Sequence, residues 1–292
     1  MSWLHQGVRL AYRRKRKWFP RLSLSARSPA LAKLRAKMLE WLLSEVGEVR
    51  GQRMVVDAID TLQLRRRRYY DRYATALFER ILRPNQVAVD AGANVGYFTL
   101  LYAQTVGPGG HVYAFEPHPT NYWILQRNIE LNGYRNVTAV QAVVADQPGT
   151  ARLFLSPNNE GDHRAYDPGD ARSSVPVPQV TLDNYLAGRR VDFIKTDLQG
   201  YEARALRGAL KLLSSAVSLS VYLEWWPQGI KEAGGDCSVI YGMLIDCGFR
   251  VFDVNDQDQS VKPATLSELQ ARYGSQERPV GNILALKGVE LP

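Results

Sequence analysis

Apolar and polar positions alternate with two periods along this chain, and the switches between them predict an α/β succession. Val87-Ala-Val-Asp-Ala91 is an apolar run closing on a carboxylate, which predicts a strand over 87–91, and helical spacing follows over 95–105. Gly107-Pro-Gly-Gly110 marks a turn. A second strand is predicted over 111–116, a helix over 119–132 stopping at Gly133, and a third strand over 137–143. Strands over 150–155 and 175–180 flank a polar stretch from Ser156 to Ser174, and a polar stretch of that length inside a domain is usually functional. Thr181-Leu-Asp-Asn-Tyr185 opens a short helix. Strands over 191–196 and 217–224 and a helix over 236–247 follow, and Phe249–Asp253 and Asn282–Leu286 predict a final antiparallel pair. Upstream, Leu31, Leu34, Met38, Trp41, Leu42 and Val46 recur at helical spacing, Val55–Ile59 reads as a short strand, and 69–82 is an amphipathic helix ended by Pro84. The expected architecture is α/β and Rossmann-like: a mostly parallel seven-stranded sheet with an antiparallel last strand and helices on both faces. Its expected division is a basic leader with an amphipathic helix (1–50), a helical cap (51–85) and the main domain (86–292).

The ends of the first two strands point to a ligand. In such sheets a ligand lies across the carboxyl ends of the strands, over a helix N-terminus. A pyrophosphate-binding turn wants three close glycines, but this loop has only Gly92 and Gly96, with Asn94 between them. Asp90 would turn a negative charge on any phosphate. S-adenosylmethionine has no phosphate and carries an ammonium and a sulfonium, so a carboxylate suits it. Glu116, at the end of the second strand, is placed to accept from both ribose hydroxyls, with the adenine expected near Gln141 and Ala142.

The fourth strand ends in Asp192-Phe-Ile-Lys-Thr-Asp-Leu-Gln-Gly-Tyr-Glu202. Lys195 and Asp197 share one side of it, because strand side chains alternate. Asp197 sits where residues near a reacting group are found, and Glu202 opens the next helix, where its charge suits the dipole. Glu224 adds a carboxylate at the same sheet edge, and Trp225 and Trp226 are candidate pocket walls. His163, inside the polar stretch, has the pKa range of a base for a hydroxyl proton. His163 or Asp197 is therefore the expected base, with Lys195 and Glu202 orienting the site. A metal held by Asp197, Glu224 and Asp183 is the alternative; three acids at a sheet edge do not specify one, and no metal is expected.

Composition changes the picture only at the N-terminal end. The net charge is +8, with basic runs at 13–17 and 65–68, before the site-bearing region. Such runs attract anionic membrane surfaces or nucleic acid, although most are solvated faces. They leave two further readings: an RNA methyltransferase, against which no RNA-binding module is visible, and a weakened S-adenosylmethionine-binding protein that docks on a membrane. The two cysteines, Cys237 and Cys247, lie outside any metal-knuckle spacing, so a reducing, cytoplasmic setting is expected. The oligomeric state is left open.

The chain resembles the FkbM-type S-adenosylmethionine-dependent methyltransferases. The resemblance rests on Val89-Asp-Ala-Gly-Ala-Asn-Val-Gly-Tyr-Phe-Thr-Leu100, Phe115-Glu-Pro117, Asn128-Ile-Glu-Leu-Asn132, Val180-Thr-Leu-Asp183, Phe193 to Glu202 and Leu206-Arg-Gly-Ala209, and spans roughly residues 69–287. It implies a class I methyltransferase fold and O-methylation of a hydroxyl on a sugar, glycolipid, polyketide or similar small-molecule or glycan acceptor. It puts Asp90, Gly92, Asn94, Gly96 and Glu116 on the cofactor motif, and Asp197, Gly200 and Glu202 on a Lys-x-Asp-x-Glu-Gly-x-Glu motif. Asn159, a candidate substrate contact, and His163 fall on a polar Asn-x-Gly-x-His-like patch. One position departs: Gln199 stands where the motif has glutamate.

Overall fold

A computed structural model describes residues 46–56, 62–64, 69–275 and 279–291. The helix expected from 31 and both basic runs lie outside these residues, except that Val46, expected to close that helix, instead opens a strand.

The first described elements are a hairpin, β1 (Val46–Val49) and β2 (Gln52–Val55), and helix α1 (Arg72–Ile81). Asp71 caps α1 by accepting the Ala74 N–H at 2.8 Å, and Ala74, Leu77, Phe78 and Ile81 form its buried face. The described residues of 51–85 are thus part hairpin, part helix, and their buried apolar side chains share one core with the main domain. Asn128 ties β2 down, donating to the Val55 carbonyl and accepting the Val55 N–H.

The main sheet contains β3 (Val87–Ala91), β4 (His111–Phe115), β5 (Val137–Val140), β9 (Phe193–Thr196), β10 (Leu219–Trp225), β11 (Arg250–Asn255), β12 (Ser260–Pro263) and β13 (Gly281–Lys287). Its order is β12-β11-β13-β10-β9-β3-β4-β5, eight strands rather than the seven expected. From β10 to β5 all neighbours are parallel, while β13, β11 and β12 form an antiparallel flank. β12 escaped the sequence pattern because Ser260-Val-Lys-Pro263 lies at the edge and is half exposed, with no apolar face to read.

Helices α2 (Tyr97–Val106), α3 (Pro119–Leu131), α5 (Glu202–Arg207) and α8 (Cys237–Asp246) cover the sheet, with α4 (Leu182–Tyr185), α6 (Leu210–Ser215), α7 (Pro227–Glu232) and α9 (Leu266–Arg272) in the connections. Strand alternation splits the interior into two cores. Ala88, Phe193 and Tyr222 face one, with Phe78 and Tyr102; Val89, Ile194, Leu223 and Trp225 face the other.

The region expected as one strand over 137–143 breaks after Val140. Its continuation, β6 (Val143–Val144), joins β8 (Ser174–Val180) and β7 (Gly149–Phe154) in a separate three-stranded sheet. The polar stretch is the connection between β7 and β8. A bridge between Phe154 and Arg164 folds it back on β7, which brings it over the carboxyl ends of the main strands.

Candidate active site

The chain reverses its winding direction at β3: β4 lies on one side and β9 on the other. Ligands of open α/β sheets bind at such a switch point, and a cleft opens there. It is lined by Gly92, Ala93 and Asn94 after β3, Glu116 and Pro117 after β4, and Lys195, Asp197, Leu198 and Gln199 at the end of β9. Glu160, Gly161 and His163 close it from the polar connection, and Tyr70, Tyr97 and Phe98 make an aromatic rim.

The loop after β3 interlocks with the loop after β9. Gly92 has φ +81°, and a Cβ on it would fall on the Asp197 carbonyl oxygen, so only glycine fits. Gly96, with φ +92°, starts α2 against Leu125 and does not itself line the cleft.

Asp90 is not where the sequence reading puts it. Its side chain is fully buried: one oxygen accepts the Thr99 hydroxyl at 2.6 Å, and the other is 3.5 Å from the Lys195 ammonium. Asp90 therefore stands behind the cleft wall, and its charge is met inside the protein. The carboxylates that reach the cleft are Glu116, Glu160 and Asp197, and Lys195 is the one cationic side chain among its described lining residues.

Lys195 donates to the Gly92 carbonyl at 3.0 Å and lies 3.7 Å from Asp197. Burial pulls its pKa down, but Asp90 and Asp197 outweigh burial and leave it raised. Asp197 keeps about a third of its side chain exposed (32%). Gln199 follows in the left-handed region (φ +54°), and its amide donates to Asp197 at 2.9 Å and to both oxygens of Glu224 at 3.3 Å. Glu224 thus joins the cluster from behind Gln199, and its pKa is pushed well up by burial and by the Asp197 charge.

Two other predicted residues are displaced by strand and helix geometry. Trp225 is fully buried in the core on the opposite face of the sheet, one residue out of phase with Glu224, and walls no pocket. Glu202 is completely buried; it accepts the Leu198 N–H at 2.7 Å and braces the loop after β9, with its pKa raised by burial to about 7. Asp183 caps α6 by accepting the Lys211 and Leu212 N–H groups, so the three acids suggested for a metal do not meet.

At the β4 end, Glu116 accepts the Asn94 and His118 N–H groups, both at 2.8 Å. Burial outweighs these bonds and raises its pKa to about 7. Each oxygen keeps a further lone pair, so a vicinal diol donating to both favours the charged form. Gln141 and Ala142 do not line the cleft, because the strand breaks there; Val143, a little further on, does.

Glu160 was missed by the sequence reading, and its position three residues before His163 is the one signal that could have found it. Its carbonyl accepts from the Asn121 and Asn94 amides at 3.0 and 3.5 Å. Its carboxylate takes the His163 Nε2 at 3.0 Å and lies 3.9 Å from His118 Nδ1. Asn159 is exposed and shapes the turn by accepting the Gly161 N–H; it does not line the cleft. His163 does line it, but Nδ1 accepts the Ser156 N–H at 3.1 Å, which leaves the proton on Nε2 facing Glu160. Both ring nitrogens are thus engaged. The ligand-type atoms of His118, Glu160 and His163 lie within 4.8 Å of one another. A metal on Nε2 would move the ring proton to Nδ1, against the Ser156 N–H. The cluster reads as a tether for the connection.

The lining fits S-adenosylmethionine. The buried Glu116 suits a ribose diol, and carboxylates outnumber the single ammonium, which favours a cationic ligand and disfavours a pyrophosphate.

Residues 90–251, more than half the chain, match the family described as Methyltransferase FkbM domain. Methyltransferase sdnD of Sordaria araneosa is 29% identical over 224 residues, covering 65% of this chain and 83% of that protein. Methyltransferase 1 of Beauveria bassiana is 30% identical over 142 residues, covering 41% of this chain and 57% of that protein. The 31-O-demethyl-FK506 methyltransferase FkbM of Streptomyces tacrolimicus is 36% identical over 77 residues, covering 26% of this chain and 29% of that protein. Among solved structures, methyltransferase FkbM from Methylobacillus flagellatus KT superposes with a TM-score of 0.43 at 14% identity, covering 73% of this chain and 50% of that one.

Proposed function

Since the chain belongs to the FkbM methyltransferase family and its cofactor is S-adenosylmethionine, we propose that it methylates a hydroxyl oxygen of a small-molecule or glycan acceptor. The observation that carries this reading is Asp197: a cleft-facing carboxylate at the switch point, held between Lys195 and Gln199. The bound cofactor supplies an electrophilic methyl group on its sulfonium. Asp197 takes the acceptor's hydroxyl proton as the oxygen–carbon bond forms and the methyl–sulfur bond breaks, leaving the neutral thioether, and Lys195 stands 3.7 Å from Asp197 to hold it in place. Glu116 holds the ribose diol, and Asn94 and Asn121 close the connection over it through Glu160. Tyr70, Tyr97 and Phe98 offer an apolar face beside Asp197 for the acceptor's carbon skeleton and keep water out. The engaged nitrogens of His163 support a positioning role for it. The name of the Streptomyces relative, which specifies a demethylated oxygen, supports oxygen as the acceptor atom.

The test is incubation with methyl-labelled S-adenosylmethionine and fractionated extracts of the source organism, with the labelled product identified by mass spectrometry. The label is expected on oxygen. D197N should keep its affinity for S-adenosylhomocysteine while losing about a hundredfold or more of the labelled product. Label on nitrogen or carbon, or full activity in D197N, would refute the reading.

A further inference from the structure

At the acceptor end of the cleft Asp197, and behind it Glu224, come together with no cation directly between them among the described residues. Lys195 lies 3.7 Å from Asp197 but is held on its other sides by Asp90 and the Gly92 carbonyl. What stands between the two acids is the amide of Gln199. Its nitrogen donates to Asp197 at 2.9 Å and toward both Glu224 oxygens at 3.3 Å each. The amide nitrogen stands toward both acids, the orientation in which oxygens of each can accept from it. The backbone pays for this placement: Gln199 is not glycine, yet it adopts φ +54°, a conformation that costs about 1 kcal/mol or more for a side-chain-bearing residue. Strain held at a cleft by a doubly engaged side chain is the mark of a residue kept for its position.

We propose that Gln199 is a positioning residue of the acceptor site, its amide bridging Asp197 and Glu224 in the way a divalent cation bridges paired carboxylates. The proposal rests on the preceding reading only in assigning this end of the cleft to the acceptor; the bridge is a statement about three side chains. A glutamate at 199 would bring three carboxylates together, with Glu202 and Asp90 close behind and Lys195 already committed. Such a cluster is relieved by a proton, which burial and the Asp197 charge already favour on Glu224, or by a cation, and carboxylate oxygens are the donor set that Mn²⁺ and Mg²⁺ accept. The amide therefore decides that this constellation is closed by hydrogen bonds.

The experiment compares wild type, Q199E and Q199E/E224Q, each saturated with S-adenosylhomocysteine and freed of metal by chelation. Q199E should melt below wild type and recover by about 5 °C or more on addition of millimolar Mn²⁺. Electron paramagnetic resonance should show Mn²⁺ bound at least tenfold more tightly than by wild type. Wild type and Q199E/E224Q should not respond. A Q199E protein indifferent to Mn²⁺, or a wild type that binds Mn²⁺ equally well, overturns the proposal. If Q199E does not fold, the wild-type side chain gives the answer. E224Q should shift the Gln199 side-chain amide resonances, identified by their loss in Q199A, and unshifted resonances overturn the bridge. Binding of S-adenosylhomocysteine is read in every variant, so loss of the cofactor site would be seen separately.

Discussion

Lys195 and Asp90 face each other across two adjoining parallel strands, ammonium to carboxylate at 3.5 Å, and neither side chain has more than 5% of its surface in solvent. The pair explains why the most diagnostic acid of the sequence is not at the cleft surface. It neutralises Asp90 inside the sheet, and through the Gly92 carbonyl the same ammonium ties down the cofactor loop.

Removing the ammonium leaves a buried carboxylate with only Thr99 for a partner. K195M should lose about 3–5 kcal/mol of stability in urea titration, the usual cost of breaking one side of a buried pair. D90N/K195M should recover part of that loss. Equal stability of wild type and K195M would remove the pair from the account of the fold.

Gly92 and Gly107 both have positive φ, but only Gly92 is crowded, by the Asp197 carbonyl. G107A should therefore cost about 1–3 kcal/mol from backbone strain alone, since φ +66° with ψ −173° is a conformation essentially reserved for glycine. G92A should abolish binding of S-adenosylhomocysteine in calorimetry and lower the melting temperature far more. Similar behaviour of the two variants would contradict the interlock of the loops.

The stability of the cofactor-free protein should fall as pH rises towards 7. Glu202 has its pKa raised from 4.5 to about 7 by burial. The native state therefore holds a proton that the unfolded chain has released. That contribution is fully present below about pH 4.5 and lost as pH rises through about 7. E202Q mimics the protonated form. It should match wild type at pH 5 and exceed it by roughly 1–3 kcal/mol at pH 8. A constant difference across that range would show that Glu202 does not titrate this way.

Glu116 has a pKa of about 7 for the same reason, and a ribose diol should pull it down. Binding of S-adenosylhomocysteine near pH 7 should then release protons, seen in calorimetry as a heat that varies with the buffer's ionisation enthalpy. E116Q sets an amide N–H against a backbone N–H of Asn94 or His118 and should weaken binding about 10–100-fold. Buffer-independent heats together with unchanged affinity in E116Q would place the ribose elsewhere.

His163 and Glu160 pin the connection between β7 and β8. H163A should leave S-adenosylhomocysteine affinity within about threefold but speed amide hydrogen exchange over 156–165 relative to β7. Unaltered exchange would mean that the turn at Asn159 holds by itself.

Much of this was legible in one dimension. The strand over 87–91 is found as β3 with the same bounds, and the helices expected over 119–132 and 236–247 differ from α3 and α8 by one residue at most at each end. Local signals set those limits: a capping aspartate at 236, a proline at 119, a glycine at 133. Family membership was legible too, because ordered motifs at strand ends survive where bulk identity does not. The errors came from neighbours that no local pattern names. Asp90 reads as a ligand because it ends a strand; it is buried because Lys195, more than a hundred positions later, lies beside it in register. Trp225 follows Glu224, which meets Gln199 behind the cleft wall, and for that reason points to the opposite face.

The order of apolar and polar residues by itself determined most of the central strands and the longer helices, and that the sheet is mostly parallel, since period and capping act within a few residues; the edge strand β12 and the break after Val140 depend on partners elsewhere in the chain. Which carboxylates meet the cleft, which are sealed behind it, and what bridges them was decided only by tertiary structure. A charge in a protein answers to whatever lies within a few ångströms of it, and at this site those neighbours come from β3, β4, β9, β10 and the connection after β7.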